Sequence, residues 1–309
     1  MSTLLLHHPS FIGHQTPYGH PERPDRIRAI DQALEDERFQ SLEREAAAMG
    51  TIEQAALAHG DSHVRDLQEA MPQAGLIQLD ADTSVSAGSW EAAMRGVGGA
   101  CQAVDEVFSK RVRNVFSASR PPGHHAEKSR AMGFCLFNNA AIAARWAQKA
   151  HGAERVAIID FDVHHGNGTQ DIFWNDTSVL YCSTHQMPLY PGTGAWNETG
   201  IGHNIVNAPL RSGDAGPQFR EAVDHAILPR LSDFRPDLIV ISAGFDAHRR
   251  DPLGGLNLVE ADYTWITSKL MDIADICAEG RVVSLLEGGY DLEGLAKSTA
   301  AHVAALMTA

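Results

Sequence analysis

Six short runs of β-branched and aliphatic residues recur along the sequence, separated by stretches long enough to form helices, and this alternation constrains the fold more than any other feature. The runs are Thr3 to His7, Asn114 to Ser117, Arg155 to Asp160, Val179 to Ser183, Leu238 to Ala243 and Arg281 to Glu287. Between them the pattern predicts helices over Pro24 to Arg38, Ser89 to Lys110, Asn138 to His151, Pro217 to Leu231, Glu260 to Ala278 and Leu292 to Met307. Strands joined through helices pair in parallel, and both faces of such a sheet are covered. Asn138 and Asp291 stand where a side-chain oxygen caps a helix start. Residues Ser183 to Asp214, with PLYPGTG and NETGIGH, are expected to form one extended functional loop.

The chain has 309 residues, of which 44% are hydrophobic, enough for one core, so a single domain over residues 1–309 is expected. A net charge of −14 argues against nucleic acid as a partner. No segment approaches the ~20 apolar residues of a membrane span. Four cysteines without a CxxC pair, and no secretory leader pattern at the start, predict reduced thiols and a cytoplasmic location. The sequence leaves the oligomeric state open, a homo-oligomer included.

The 16 histidines fall partly in adjacent pairs, and the pairs follow predicted strands, where open α/β sheets place ligands. In IDFDVHHGNG, residues Asp160, Asp162 and His164 alternate, and an extended chain points such positions to one side. A bare DxDxH is by itself an ordinary solvated turn. The strand ending in SAGFDAH adds Asp246 at the same edge. Asp162, His164 and Asp246 then make a three-ligand set of the kind that leaves a position free on a catalytic zinc ion. RPPGHHA presents His124 and His125, one of them suited to act as general base. EGGY places the Tyr290 phenol nearby, where its O–H can donate to a developing oxyanion.

RPPGHHA, GFCLFNN, DFDVHHGNGTQ, YPGTG, ISAGFDAH and LEGGYDL resemble the zinc-dependent histone deacetylase and acetylpolyamine amidohydrolase family, and the likeness runs from HPERPDR to EGGY. The resemblance implies an arginase-like α/β domain with a parallel sheet of about eight strands flanked by helices. Its active site lies at the carboxyl ends of the strands, with one zinc ion at the bottom of a narrow apolar tunnel. It implies Asp162, His164 and Asp246 as zinc ligands, Asp160 as partner of His124, His125 as general base and Tyr290 as oxyanion donor. Water attacks the acetamide, an amine leaves, and acetate is the coproduct. Asp160, Asp162, His164, Ser183 and Thr184 resemble a potassium site. Phe134 and Tyr190 resemble the aromatic walls around the substrate stem, Gly133 offers its carbonyl to the substrate amide, and Asp82 anchors substrate at the rim or else caps the Ser89 helix. His7, His8, His14, His20, His59 and His63 lie outside these motifs and are expected to be structural, while the resemblance implies that HPERPDR lines a channel behind the zinc, a reading compatible with Pro21, Glu22 and Arg23 opening a helix with Pro24 at its first turn.

Asn167 stands where some relatives carry an aspartate behind the general base, and an uncharged partner raises that histidine's pKa less. Asn167 and EGGY point to a class II-like branch. Leu253, in DPLGG, replaces an acidic residue of a polyamine-selective relative and offers a cationic amine nothing. The expected substrate is therefore acyl-lysine in a protein or peptide, or a related small amide, with an acetylated polyamine as the alternative. A non-catalytic binder of acylated ligands fits less well, because binding alone needs neither a proton shuttle nor an oxyanion donor.

Overall fold

The computed structural model describes residues 2–308. In chain order its strands are β1 (Thr3–His7), β2 (Glu43–Ala46), β3 (Leu76–Gln78), β4 (Ser84–Ser86), β5 (Asn114–Ser117), β6 (Val156–Asp160), β7 (Val179–Gln186), β8 (Ile205–Leu210), β9 (Leu238–Ala243) and β10 (Val282–Leu286). Eight of them form one sheet in the order β2-β1-β5-β10-β9-β6-β7-β8, and every neighbouring pair is parallel. All residues of β5, β6, β9 and β10 are buried, and since alternate side chains face opposite sides, both faces are covered. The covering helices include Ser89–Phe108, Asn139–His151, Glu260–Cys277 and Leu292–Thr308. The Asn138 side chain accepts from Ala141 N–H at 2.9 Å, and Asp291 accepts from Gly294 N–H at 2.7 Å, so both predicted caps are present.

The helix expected over Pro24 to Arg38 ends at Ala33, and the helix Asp61–Glu69 and the antiparallel pair β3–β4 were not foreseen; three further differences have a clear physical reason. Residues Ser183 to Asp214 are not one loop, because β7 continues to Gln186 and Ile205–Leu210 forms the edge strand β8. Pro209 disguised that strand; proline is tolerated there because an edge strand has an N–H side that needs no partner. β2 escaped notice because its sequence, EREA, is charged, as edge strands commonly are. Arg111 bridges Glu43 and Glu45 along it, both at 3.1 Å. Finally, the helix expected over Pro217 to Leu231 runs as Gly216–Ala222, a π turn at Val223–Ile227, and Leu228–Phe234. Pro229 lacks an N–H and its ring crowds the carbonyl four residues back, which the wider turn relieves.

Candidate active site

The polar clusters follow β5, β6, β9 and β10, and these four strands are consecutive in the sheet, so their carboxyl ends meet at one place. Past β6 the chain is not extended as expected. Asp160 accepts from Asp162 N–H at 3.1 Å and Asp162 accepts from His164 N–H at 2.9 Å, giving two successive Asx turns. Each turn advances two residues, so the alternation survives by a different local route.

One oxygen each from Asp162 and Asp246 and one nitrogen of His164 lie within 4.8 Å of one another, and all three residues are buried. His164 Nδ1 is 3.1 Å from Asp162 and 3.1 Å from Asp246. The carboxylates are aimed by backbone donors, Gly288 N–H to Asp162 and Val163 N–H to Asp246, both at 2.8 Å. Gly288 must lack a side chain, since a Cβ there would stand 2.2 Å from Asp246 Oδ2 and 2.6 Å from Asp162 Oδ2. Burial would lower the His164 pKa, but the two carboxylates outweigh it and push it up to about 10. Burial and the charge of Asp162 push Asp246 up to about 7. Among the described residues no Lys or Arg hydrogen-bonds to either carboxylate. Two buried carboxylates with one imidazole fit a divalent cation, in donor type as well as in charge.

His124 Nδ1 bonds Asp160 at 3.0 Å, and Asp160 also accepts from the Tyr181 hydroxyl at 3.0 Å. Burial works against a charge on His124, yet Asp162 and Asp160 hold its pKa well above the ordinary value. His125 is the opposite case: burial, then the neighbouring His124 and His164, hold it well below, which favours the neutral ring. Its Nδ1 donates to Asn167 Oδ1 at 2.8 Å.

Of these groups His125 and His164 line a cavity of about 240 Å³, together with Asp82, Gly133, Phe134, Leu189, Tyr190, Leu253 and Tyr290. Burial sets its depth. His125, His164 and Tyr290 are 5%, 8% and 7% exposed, whereas Tyr190 is 38% exposed and marks the mouth. Gly133 and Phe134 both have positive φ, 56° and 69°, an uncommon backbone state for a phenylalanine that turns its ring into the cavity wall. A Cβ on Gly133 would meet His125 at 2.5 Å. Tyr190 stands edge-on to His125, with ring centroids 5.1 Å apart. Asp82 does not cap the Ser89 helix; it lies in the turn between β3 and β4 and accepts from Gly133 N–H at 3.2 Å. Asp160 and Ser183 are register partners on β6 and β7, which brings the proposed potassium residues together, although the Ser183 hydroxyl is engaged with His185 Nδ1 at 2.8 Å.

Several working residues escaped the sequence reading. Glu287 accepts from Gly123 N–H at 2.6 Å and His124 N–H at 3.0 Å, holding the histidine pair from beneath. Asp251 accepts from Tyr290 N–H at 2.6 Å and Leu253 N–H at 3.0 Å, tying the phenol to the rim. Arg26 lies 4.9 Å from the Tyr290 ring centre and donates to Gly289 O at 2.6 Å, while Glu22 pairs with Arg26 and Arg120. HPERPDR therefore both opens a helix and underpins the tyrosine. His20 packs edge-on against Phe134, with ring centroids 4.7 Å apart. The only available signal for Glu287 was its adjacency to GGY; Asp251 acts across a loop and leaves none.

Residues 20–306 match the model of the histone deacetylase domain. A probable deacetylase from Archaeoglobus fulgidus is 39% identical, over 99% of this chain and 86% of its own. Histone deacetylase 10, chloroplastic, from Oryza sativa subsp. japonica is 38% identical, over 94% of this chain and 70% of its own. The crystal structure of the HDA15 HD domain superposes with a TM-score of 0.94 at 38% identity, covering 99% of this chain and 88% of that one. With the family model spanning nearly its whole length, the chain belongs to the histone deacetylase domain family.

Proposed function

We propose that residues 1–309 form one catalytic domain that removes acetyl or related acyl groups from lysine side chains or similar small amides and releases acetate. The observation that carries this is the trio Asp162, His164 and Asp246, of which His164 lines an apolar-walled cavity beside His125 and the Tyr290 phenol. The trio would hold one zinc ion, which supplies Lewis-acid polarisation and acidifies water. His125 Nε2 takes the proton of the attacking water and passes it to the departing amine as the C–N bond breaks. Tyr290 donates its O–H to the carbonyl oxygen as charge develops there. Burial holds the Tyr290 pKa well above its ordinary value, so the phenol keeps the proton it must donate. Phe134 and Tyr190 flank the methylene stem, and Gly133 O accepts the amide N–H. Asp160, Asp162, His164, Ser183 and Thr184 would hold potassium through side-chain and backbone oxygens; among the described residues no Lys or Arg hydrogen-bonds to Asp160 or Asp162.

Leu253 at the rim supports acyl-lysine over a polyamine, because it provides no countercharge for a second amine. Acetate release from an acetyl-lysine peptide, acetylputrescine and acetylspermidine, with zinc quantified in the same protein, tests both readings. Turnover of the peptide is the expected result. Cleavage of the polyamines alone would transfer the assignment to an acetylpolyamine amidohydrolase, and no acetate from any substrate by the zinc-loaded protein would overturn the hydrolase.

A further inference from the structure

Behind His125 lies a carboxylate that the proposed chemistry does not use. Glu127 follows the histidine pair in GHHAE, and its Oε1 accepts a hydrogen bond from Asn167 Nδ2 at 2.8 Å. Asn167 Oδ1 in turn accepts from His125 Nδ1 at 2.8 Å. The two ends of a carboxamide are nearly the same shape, so its neighbours decide which end is oxygen. A carboxylate only accepts. Glu127 therefore draws the NH₂ end toward itself and turns the carbonyl end toward the imidazole. A carbonyl oxygen also only accepts, so the neutral His125 ring carries its proton on Nδ1 and keeps the Nε2 lone pair free. Were the amide reversed, its NH₂ would donate to Nδ1, the ring proton would move to Nε2, and that nitrogen would have nothing with which to take a proton. Met132 Sδ, 3.4 Å from Asn167 Nδ2, is a weak acceptor favouring the same orientation.

The Glu127 backbone is fixed on both sides. Its N–H donates to Arg130 O at 2.9 Å, and its carbonyl accepts from His59 Nδ1 at 3.0 Å. His59 also accepts the Asn138 N–H at 2.8 Å, so the Glu127 segment is anchored to the start of a core helix. A glutamate so mounted, half-buried and aimed at the far end of Asn167, is placed to act on the histidine without touching substrate.

We propose that Glu127 is a positioning residue that selects the Nδ1–H tautomer of His125 through the Asn167 amide. The proposal rests on the reading of His125 as general base, and its test has a readout independent of turnover. The zinc-loaded chain labelled with ¹⁵N-histidine gives long-range ¹H–¹⁵N spectra in which the two tautomers differ, and His125 is assigned by its loss in His125→Ala. The expected wild-type pattern is Nδ1–H. Glu127→Ala and the similarly sized Glu127→Met should populate the Nε2–H form, whereas Glu127→Gln, which still offers an acceptor oxygen, should restore Nδ1–H. In turnover, Ala and Met should lower kcat by about 10-fold or more, up to the 10²–10⁴ that a general base supplies in full, with KM unchanged and Gln near wild type. An unchanged Nδ1–H pattern in both Ala and Met variants overturns the proposal, whatever their activity. A wild-type chain that shows Nδ1–H and loses it in Glu127→Ala and Glu127→Met, but hydrolyses no amide, would instead uphold the Glu127 role and count only against the hydrolase.

Discussion

Tyr290 and Gly288, two residues apart, divide the work of one loop between chemistry and space. Replacing Tyr290 with Phe removes one hydroxyl and no packing, so turnover is expected to fall by about 10²–10³, the cost of an oxyanion donor, while zinc content stays at one per chain. Unchanged turnover would take the phenol out of the reaction. Gly288→Ala acts by crowding: its methyl would overlap carboxylate oxygens of both Asp162 and Asp246, at 2.6 and 2.2 Å. Zinc affinity measured by competition with a chelator should drop sharply, and wild-type affinity would show that the carboxylates can move aside. The EGGY motif was legible in the sequence as a candidate site. Which glycine is sterically required was not, because the oxygens that forbid a Cβ come from residues 126 and 42 positions away in the chain.

The segment after β9 and the segment after β10 are elements without regular structure, and Asp251 makes them one. Its carboxylate takes the backbone N–H groups of Leu253, Tyr290 and Asp291 at 3.0, 2.6 and 3.2 Å. Asp251→Ala leaves those donors unpaired, at about 1–3 kcal/mol for each one that stays buried. Both a lower urea midpoint and a reduced kcat are expected, because the phenol loses its backbone anchor. A variant that lost stability but kept wild-type kcat would make Asp251 purely structural. The central strands were readable because both their faces are buried and they stand out as apolar runs. The edges β2 and β8 were not, since an edge strand survives with charges or a proline and is defined by its neighbour more than by its own sequence.

For the molecule as a whole, the buried histidines make stability depend on acidity. His302 lies in the core, its ring bonded to Thr267 and Ser284 hydroxyls at 2.6 and 2.8 Å, and burial lowers its pKa to about 3. His59, lowered by burial and by His63, is also held at about 3. Unfolded, each imidazole takes a proton near pH 6.5; folded, neither does until about 3, so unfolding binds protons throughout that interval. Their contribution is fully present above about pH 6.5 and is lost on acidification at about 1.4 kcal/mol per pH unit for each histidine. Urea midpoints should fall from pH 7 to pH 5, and His302→Asn should flatten that slope by about one proton. A slope identical to wild type would show that His302 titrates normally. The sequence by itself determined the parallel α/β sheet, the strand ends that carry the polar clusters and the choice of Asp162, His164 and Asp246 as candidate ligands. Those follow from hydrophobic period and from motifs a few residues long, which are local properties. Only the tertiary structure decided that β5, β10, β9 and β6 lie side by side, that Glu287 and Asp251 brace the histidine pair and the phenol, and that Glu127 stands behind Asn167. Each of these depends on hydrogen bonds between residues brought together from separate parts of the chain, and no local pattern encodes a partner's distance in space.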